Sequence, residues 1–169
     1  MRHIIGYAAT GTAVVALTLA GCGSGGGSGN GAKTGTSTAS ETTLTTADVK
    51  NVGTVVTDGK GYVLYRFDAD SANPTKVTCY DACAKLWPAA TAQGGITTKG
   101  IDKNLVSTVK RTDGTTQLTL AGWPLYRYTK DDEPKEAYGQ GVDGTWFAVT
   151  PTGAKASGTP ATNTGGTGY

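Results

Sequence analysis

Between Tyr62 and Phe67 the chain alternates so that Val63, Tyr65 and Phe67 share one face of an extended segment, while Tyr62, Leu64 and Arg66 share the other. Apolar bulk on both faces predicts a central strand covered on each side. Ahead of it, Val52-Gly53-Thr54-Val55-Val56-Thr57 reads as a partner strand, with Asp58-Gly59-Lys60-Gly61 as the turn between them. The same pattern returns later. Asn104 to Lys110, Thr115 to Leu120 and Pro124 to Tyr128 read as strands, and Arg111-Thr112-Asp113-Gly114 as a hairpin turn. Thr145 to Val149, carrying Trp146, closes the second half, and Trp87-Pro88 stands at about the same place in the first. Helical character is confined to Asp81–Leu86. The expected fold is therefore mainly β: an antiparallel β domain built from two pseudo-repeats, with at most one short helix or turn near 81–86.

The two halves are written in one register. Tyr65-Arg66-Phe67-Asp68-Ala69-Asp70 and Tyr126-Arg127-Tyr128-Thr129-Lys130-Asp131 are both Tyr-x-aromatic-x-x-Asp, 61 residues apart (126 − 65). Without a gap, Gly53 then aligns with Gly114, Thr54 with Thr115, Gly61 with Gly122, Leu64 with Leu125, and Tyr62 with Trp123. Seven identities in the eighteen positions of 53–70 against 114–131 are more than chance supplies, so the domain is read as one unit used twice. Repeat one spans about 49–90 and repeat two about 104–153. Neither is expected to stand alone, since an isolated hairpin is marginal in water.

Outside the repeats the composition changes. Met1-Arg2-His3 is a basic start, and Ile4 to Ala20 is an apolar stretch too short and glycine-interrupted to span a membrane, as in a signal peptide. It ends in Leu19-Ala20-Gly21-Cys22, which resembles the lipobox of bacterial lipoproteins. That resemblance implies removal of 1–21, thioether lipidation of Cys22 and an acylated N-terminus, with palmitate-class chains anchoring the protein to the outer face of the cell membrane. Residues 22–43 are nearly all Gly, Ser, Thr, Ala and Asn, a composition that cannot offset its own ordering entropy and reads as a flexible tether. Residues 154–169 have the same character and read as a disordered tail. The single β domain is then expected at 44–153. Loss of Arg2 with the signal takes the 15 basic residues to 14, against 13 acidic. With no basic cluster, nucleic acid is not an expected partner.

Residue types also limit the chemistry. The only His and the only Met are His3 and Met1. Once the signal is removed, no imidazole remains for a general base or a Ser-His-Asp triad, and neither imidazole nor thioether remains for a metal. Carboxylate-only hydrolysis needs two opposed carboxylates; Glu133 and Glu136 in the loop from Lys130 to Asp143 are the only Glu in the expected domain. No catalytic residue, metal site or cofactor is expected. Asp70 and Asp131 follow their strands where the chain should turn, so each either fixes a turn by accepting backbone N–H bonds or, with the motif rings, lines a ligand site. Arg66 and Arg127, flanked by aromatics, should stack on a ring or pair with a carboxylate. The rings of Tyr62, Tyr65, Phe67, Trp87, Trp123, Tyr126, Tyr128, Trp146 and Phe147 read either as core or as a binding platform. Cys79 and Cys83, outside the cytoplasm, form a disulfide by default; a redox-active or metal-binding dithiol is the alternative.

The doubled motif, Cys79-x-x-x-Cys83 leading into Trp87-Pro88, and Gly139-Gln140-Gly141 ahead of Trp146 together resemble the bacterial lipoproteins with the "secreted repeat of unknown function". The resemblance implies a tandem repeat in a cell-envelope lipoprotein and no particular activity. The expected role is a membrane-anchored, extracytoplasmic, non-catalytic binding or structural module that meets an envelope protein or a small ligand. The alternative is a thiol-redox or electron-transfer accessory using Cys79 and Cys83.

Overall fold

A computed structural model describes residues 41–159. Ten strands and one short helix make up the domain: β1 (Thr42–Val49), β2 (Gly53–Asp58), β3 (Tyr65–Phe67), β4 (Ser71–Ala72), β5 (Thr75–Lys76), α1 (Asp81–Leu86), β6 (Ile96–Thr98), β7 (Val106–Lys110), β8 (Thr116–Leu120), β9 (Trp123–Pro124) and β10 (Trp146–Ala148). The fold is mainly β, as the alternation predicts, and α1 is the one α-helix among the described residues.

Each half opens with a hairpin. In the first, the strand expected at 52–57 takes β1 as its main partner, a segment the alternation does not mark. It meets the expected return strand across the Asp58–Gly61 turn through the Thr57↔Val63 bridge. β1 and β2 pair antiparallel from Leu44↔Asp58 to Val49↔Gly53, and β7 and β8 from Val106↔Leu120 to Lys110↔Thr116. Asn51 and Gly53 hold positive φ at the first turn and Gly114 at the second, a conformation in which a side chain is strained. The first hairpin also carries β6, parallel to β1 from Thr42↔Ile96 to Leu44↔Thr98. This parallel pair departs from the all-antiparallel expectation; β6 reaches β1 through the connection between the repeats, long enough to bring a strand round.

The closing strands do not stay with their own repeats. β3, from repeat one, pairs antiparallel with β10 of repeat two through Trp146↔Phe67, Phe147↔Arg66 and Ala148↔Tyr65. In return, the second motif segment pairs with repeat one: Tyr126 bridges Ala89, and the N–H groups of Arg127 and Thr129 donate to the carbonyls of Pro88 and Leu86 at 2.8 and 3.1 Å. The two motif strands meet at Tyr65 and Tyr126, whose backbones exchange a reciprocal pair of hydrogen bonds, each 2.9 Å. A pseudo-twofold axis therefore passes between these tyrosines, and each repeat completes the other's pairing.

Alternation along the strands sorts side chains into two cores. Val55, Val63, Tyr65, Tyr126, Trp87 and Trp146 enter an aromatic core that also takes in Cys79. Their neighbours Val56, Leu64 and Leu125 enter an aliphatic one with Leu44, Leu118, Leu120 and Val149. The central strand with bulk on both faces is thus a wall between two cores.

The expected domain limits of 44–153 are too narrow at both ends. Thr42 and Thr43 are already in β1. Beyond Gly153, Lys155 bridges Val149, Ala156 is buried and Gly158 lies against the backbone of Asn51 and Val52. These small residues look like tail by composition, but they fit where a larger one would not: an added Cβ on Gly158 would meet the Asn51 carbonyl oxygen. The expected signal peptide, Cys22, nearly all of the tether and the end of the tail lie outside the described residues.

Candidate functional site

All six motif residues, Tyr65, Phe67, Asp70, Tyr126, Tyr128 and Asp131, converge on the pseudo-axis. The tyrosine of each repeat donates its hydroxyl proton to the carboxylate of the other: Tyr65 to Asp131 Oδ2 at 2.5 Å, and Tyr126 to Asp70 Oδ2 at 2.6 Å. Both rings are fully buried, and both carboxylates nearly so. The second carboxylate oxygen closes the loop that follows it. Asp70 Oδ1 accepts from the backbone N–H and the hydroxyl of Thr78, each at 2.7 Å, and Asp131 Oδ1 accepts from the Tyr138 N–H at 2.9 Å. The motif Asp does fix a local loop, and it also latches onto the opposite repeat.

Burial governs the proton affinities here. It raises the Asp131 carboxyl to about 6, outweighing the lowering effect of the hydrogen bonds from Tyr65 and Tyr138. Asp70 shifts the same way for the same first reason. Burial and the neighbouring carboxylate push Tyr65 and Tyr126 well above the ordinary phenol value.

The rings continue the exchange. Phe67 stacks on Trp146 of the other repeat at 4.1 Å between centroids, Trp146 on Trp87 at 3.9 Å, and Trp87 on Tyr128 at 4.1 Å. The two indoles are parallel to within 1°. Tyr65 meets Trp87 edge-on at 5.4 Å, and Tyr126 meets Trp146 edge-on at 5.2 Å. On the outer side Arg66 lies 3.2 Å over Trp123 and Arg127 lies 3.8 Å over Tyr62, again each across the axis. Arg66 is also near Asp68, and Arg127 pairs with Asp58 at 2.6 Å. The arginines therefore both stack and pair. Tyr62 and Trp123, each directly after a turn glycine, are half-buried under these guanidinium groups.

Cys79 and Cys83 form the expected disulfide, with Cα atoms 5.3 Å apart. It joins the residue ahead of the α1 N-cap, Tyr80, to the first turn of the helix, so the bond straddles a helix start. Cys79 is completely buried and Cys83 half-buried.

Two buried polar residues carry structure that the sequence did not signal. Arg111, read only as part of a turn, donates to the Cys79 carbonyl at 2.7 Å and to Gln117 Oε1 at 2.7 Å, and its guanidinium covers the Tyr80 ring at 4.4 Å. Repeat two thus clamps the disulfide segment of repeat one. Its counterpart in the 61-residue register is the exposed Lys50, so no internal comparison could have marked it. Gln140 accepts from the Ala148 N–H and donates to the carbonyls of Ala156 and Gly158, tying β10 to the final segment. Gly139 leaves room for the motif: an added Cβ would sit 2.7 Å from the Tyr65 ring. Gly-Gln-Gly is part of the frame rather than a free loop.

A domain closed by two interleaved copies of one motif defines the class. The family model for a "secreted repeat of unknown function" matches the chain twice, at residues 46–91 and 107–150. The chain belongs to that family of secreted repeats. No curated protein and no solved structure gave a match.

Proposed function

We propose that this chain is a lipoprotein held on the outer face of the cell membrane by acylated Cys22, presenting a non-catalytic binding or structural module. The supporting observation is that the motif side chains of each repeat are spent on the other repeat. Asp70 and Asp131 are buried against tyrosines and backbone, where neither faces a substrate. Two surface concavities are also small. One, of about 210 Å³, lies over Leu64 and Leu118 beside Arg127; the other, of about 170 Å³, lies beside Lys135 and Tyr138. Both fall below the several hundred Å³ usual for an enclosed small-molecule site. A third hollow, of about 420 Å³ beside Glu41, Asp58, Lys60 and Arg127, reaches that size but is open to solvent. The partner is then another envelope protein or a small ligand.

Replacing Cys22 by Ala should move the protein from the membrane fraction to the soluble one and abolish palmitate labelling. Unchanged membrane retention would sink the anchor. Replacing Asp70 or Asp131 by Asn should lower the melting temperature. Normal melting of both variants, with loss of a partner captured by cross-linking in the native envelope, would overturn the structural role of the motif. The thiol-redox alternative has weaker support, because exchange needs an attacking thiolate to reach a sulfur, and with Cys79 fully covered only the half-buried Cys83 offers one.

A further inference from the structure

We propose that the ring stack and its crossed tyrosine-carboxylate pairs make this domain a one-electron donor: a metal-centred oxidant withdraws an electron from the Trp87–Trp146 pair, and the hole settles on Tyr65 or Tyr126 as the phenolic proton passes to Asp131 or Asp70. This goes beyond the scaffold role and does not depend on the disulfide.

The indole pair is the natural place for the charge to start. Neutral aromatic rings gain most from offset or edge-to-face contact, because their quadrupoles repel when laid face to face. Trp87 and Trp146 lie parallel within 1° with centroids 3.9 Å apart, close enough for their faces to overlap. That overlap lets a positive charge spread over both indoles, which lowers the energy of the oxidised pair relative to a single indole. Phe67 and Tyr128 extend the stack at 4.1 Å on either side. Easily oxidised sulfur is scarce: the only Met is Met1, Cys22 precedes the domain, and Cys79 and Cys83 are already joined.

The tyrosines supply the resting place. A phenol gives up an electron readily only if its proton leaves too, because the phenol radical cation is a strong acid. In a buried site the acceptor must be built in. Asp131 Oδ2 stands 2.5 Å from the Tyr65 hydroxyl and Asp70 Oδ2 stands 2.6 Å from that of Tyr126. Each of these rings touches one indole edge-on, at 5.4 and 5.2 Å.

The step balances as follows. The metal centre gains one electron. The O–H bond of the tyrosine breaks, and an O–H bond forms on the facing carboxylate. A neutral phenoxyl radical and a neutral carboxylic acid replace a phenol and a buried carboxylate anion. The low-dielectric interior favours that outcome, since burying a charge costs far more than burying its neutral form. An electron returned from a donor reverses both movements.

The test uses the full-length protein with photogenerated trisbipyridyl ruthenium(III) as the metal-centred oxidant, followed by freeze-trapping and electron paramagnetic resonance. The expected product is a tyrosyl radical whose hydrogen-bond coupling changes on transfer to deuterated solvent, with couplings assigned in the unmutated protein to the buried Tyr65 or Tyr126 geometry. Trp146→Phe should remove most of the signal. Asp70→Asn with Asp131→Asn should leave tryptophan radical in place of tyrosyl. Radical found instead on the half-exposed Tyr62, Tyr80 or Tyr138, or a yield that Trp146→Phe leaves unchanged in a folded variant, would overturn the proposal. Neither result would alter the melting behaviour on which the scaffold role rests.

Discussion

Tyr65 and Tyr126 show how one hydroxyl can matter more than its size suggests. Each hydroxyl ends on a buried carboxylate of the other repeat, so deleting it leaves a charge without its partner. Tyr65→Phe and Tyr126→Phe should each cost about 2 kcal/mol, in line with hydrogen bonds to charged groups, as read by urea unfolding. The carboxylates have a pH signature. Asp131 titrates near 6 in the folded protein against an ordinary value of 3.8, so between these limits the folded state binds a proton that the unfolded chain has lost. Its contribution is fully present below the lower value and is lost as pH rises through the upper one. Asp70 acts in the same direction. Melting temperature followed from neutral pH down to about pH 5 should therefore show a stabilising increment that Asp131→Asn reduces. At this scale the sequence was informative about which residues matter and silent about whom they meet. The register of Tyr-x-aromatic-x-x-Asp marked the six side chains, but nothing in it says that each tyrosine finds the opposite Asp. Arg111 escaped because it has no twin.

Strands were legible where local alternation dictates them, and their partners were legible only where a tight turn does. The β7–β8 hairpin follows from the Arg111-to-Gly114 turn, whereas β1 is a threonine-rich segment next to the tether whose pairing with β2 has no comparable signal. The exchange of β10 and the Trp87–Ala89 segment is a pairing between residues some 40 to 80 positions apart, and periodicity records faces rather than neighbours. The final segment reads as a tail for a related reason: Ala156 and Gly158 are small because the cleft they fill is narrow, and composition cannot separate that from a tail. Truncation after Gly153 removes the Lys155–Asp68 ion pair and both acceptors of Gln140, so the melting temperature should fall while the fold persists. Reducing Cys79–Cys83 opens a small loop, whose closure entropy corresponds to about 2 kcal/mol. Chemical denaturation with and without a dithiol reductant would register that loss, and Arg111 should hold the segment in place meanwhile.

For the molecule as a whole, the repeats are halves of one cooperative unit. Fragments 41–100 and 101–159 should each be unfolded alone and recover the native near-ultraviolet signature of the stacked indoles when mixed. Independent folding of either would contradict the crossed arrangement. A single copy of the unit, by the same geometry, would satisfy its tyrosine, its arginine and its closing strand only by meeting a second copy about a twofold axis, as homodimers do. Carrying both copies on one chain replaces that encounter with an internal one, governed by the effective concentration set by the connection rather than by protein abundance. A secreted protein thereby keeps a dimer's architecture at any dilution.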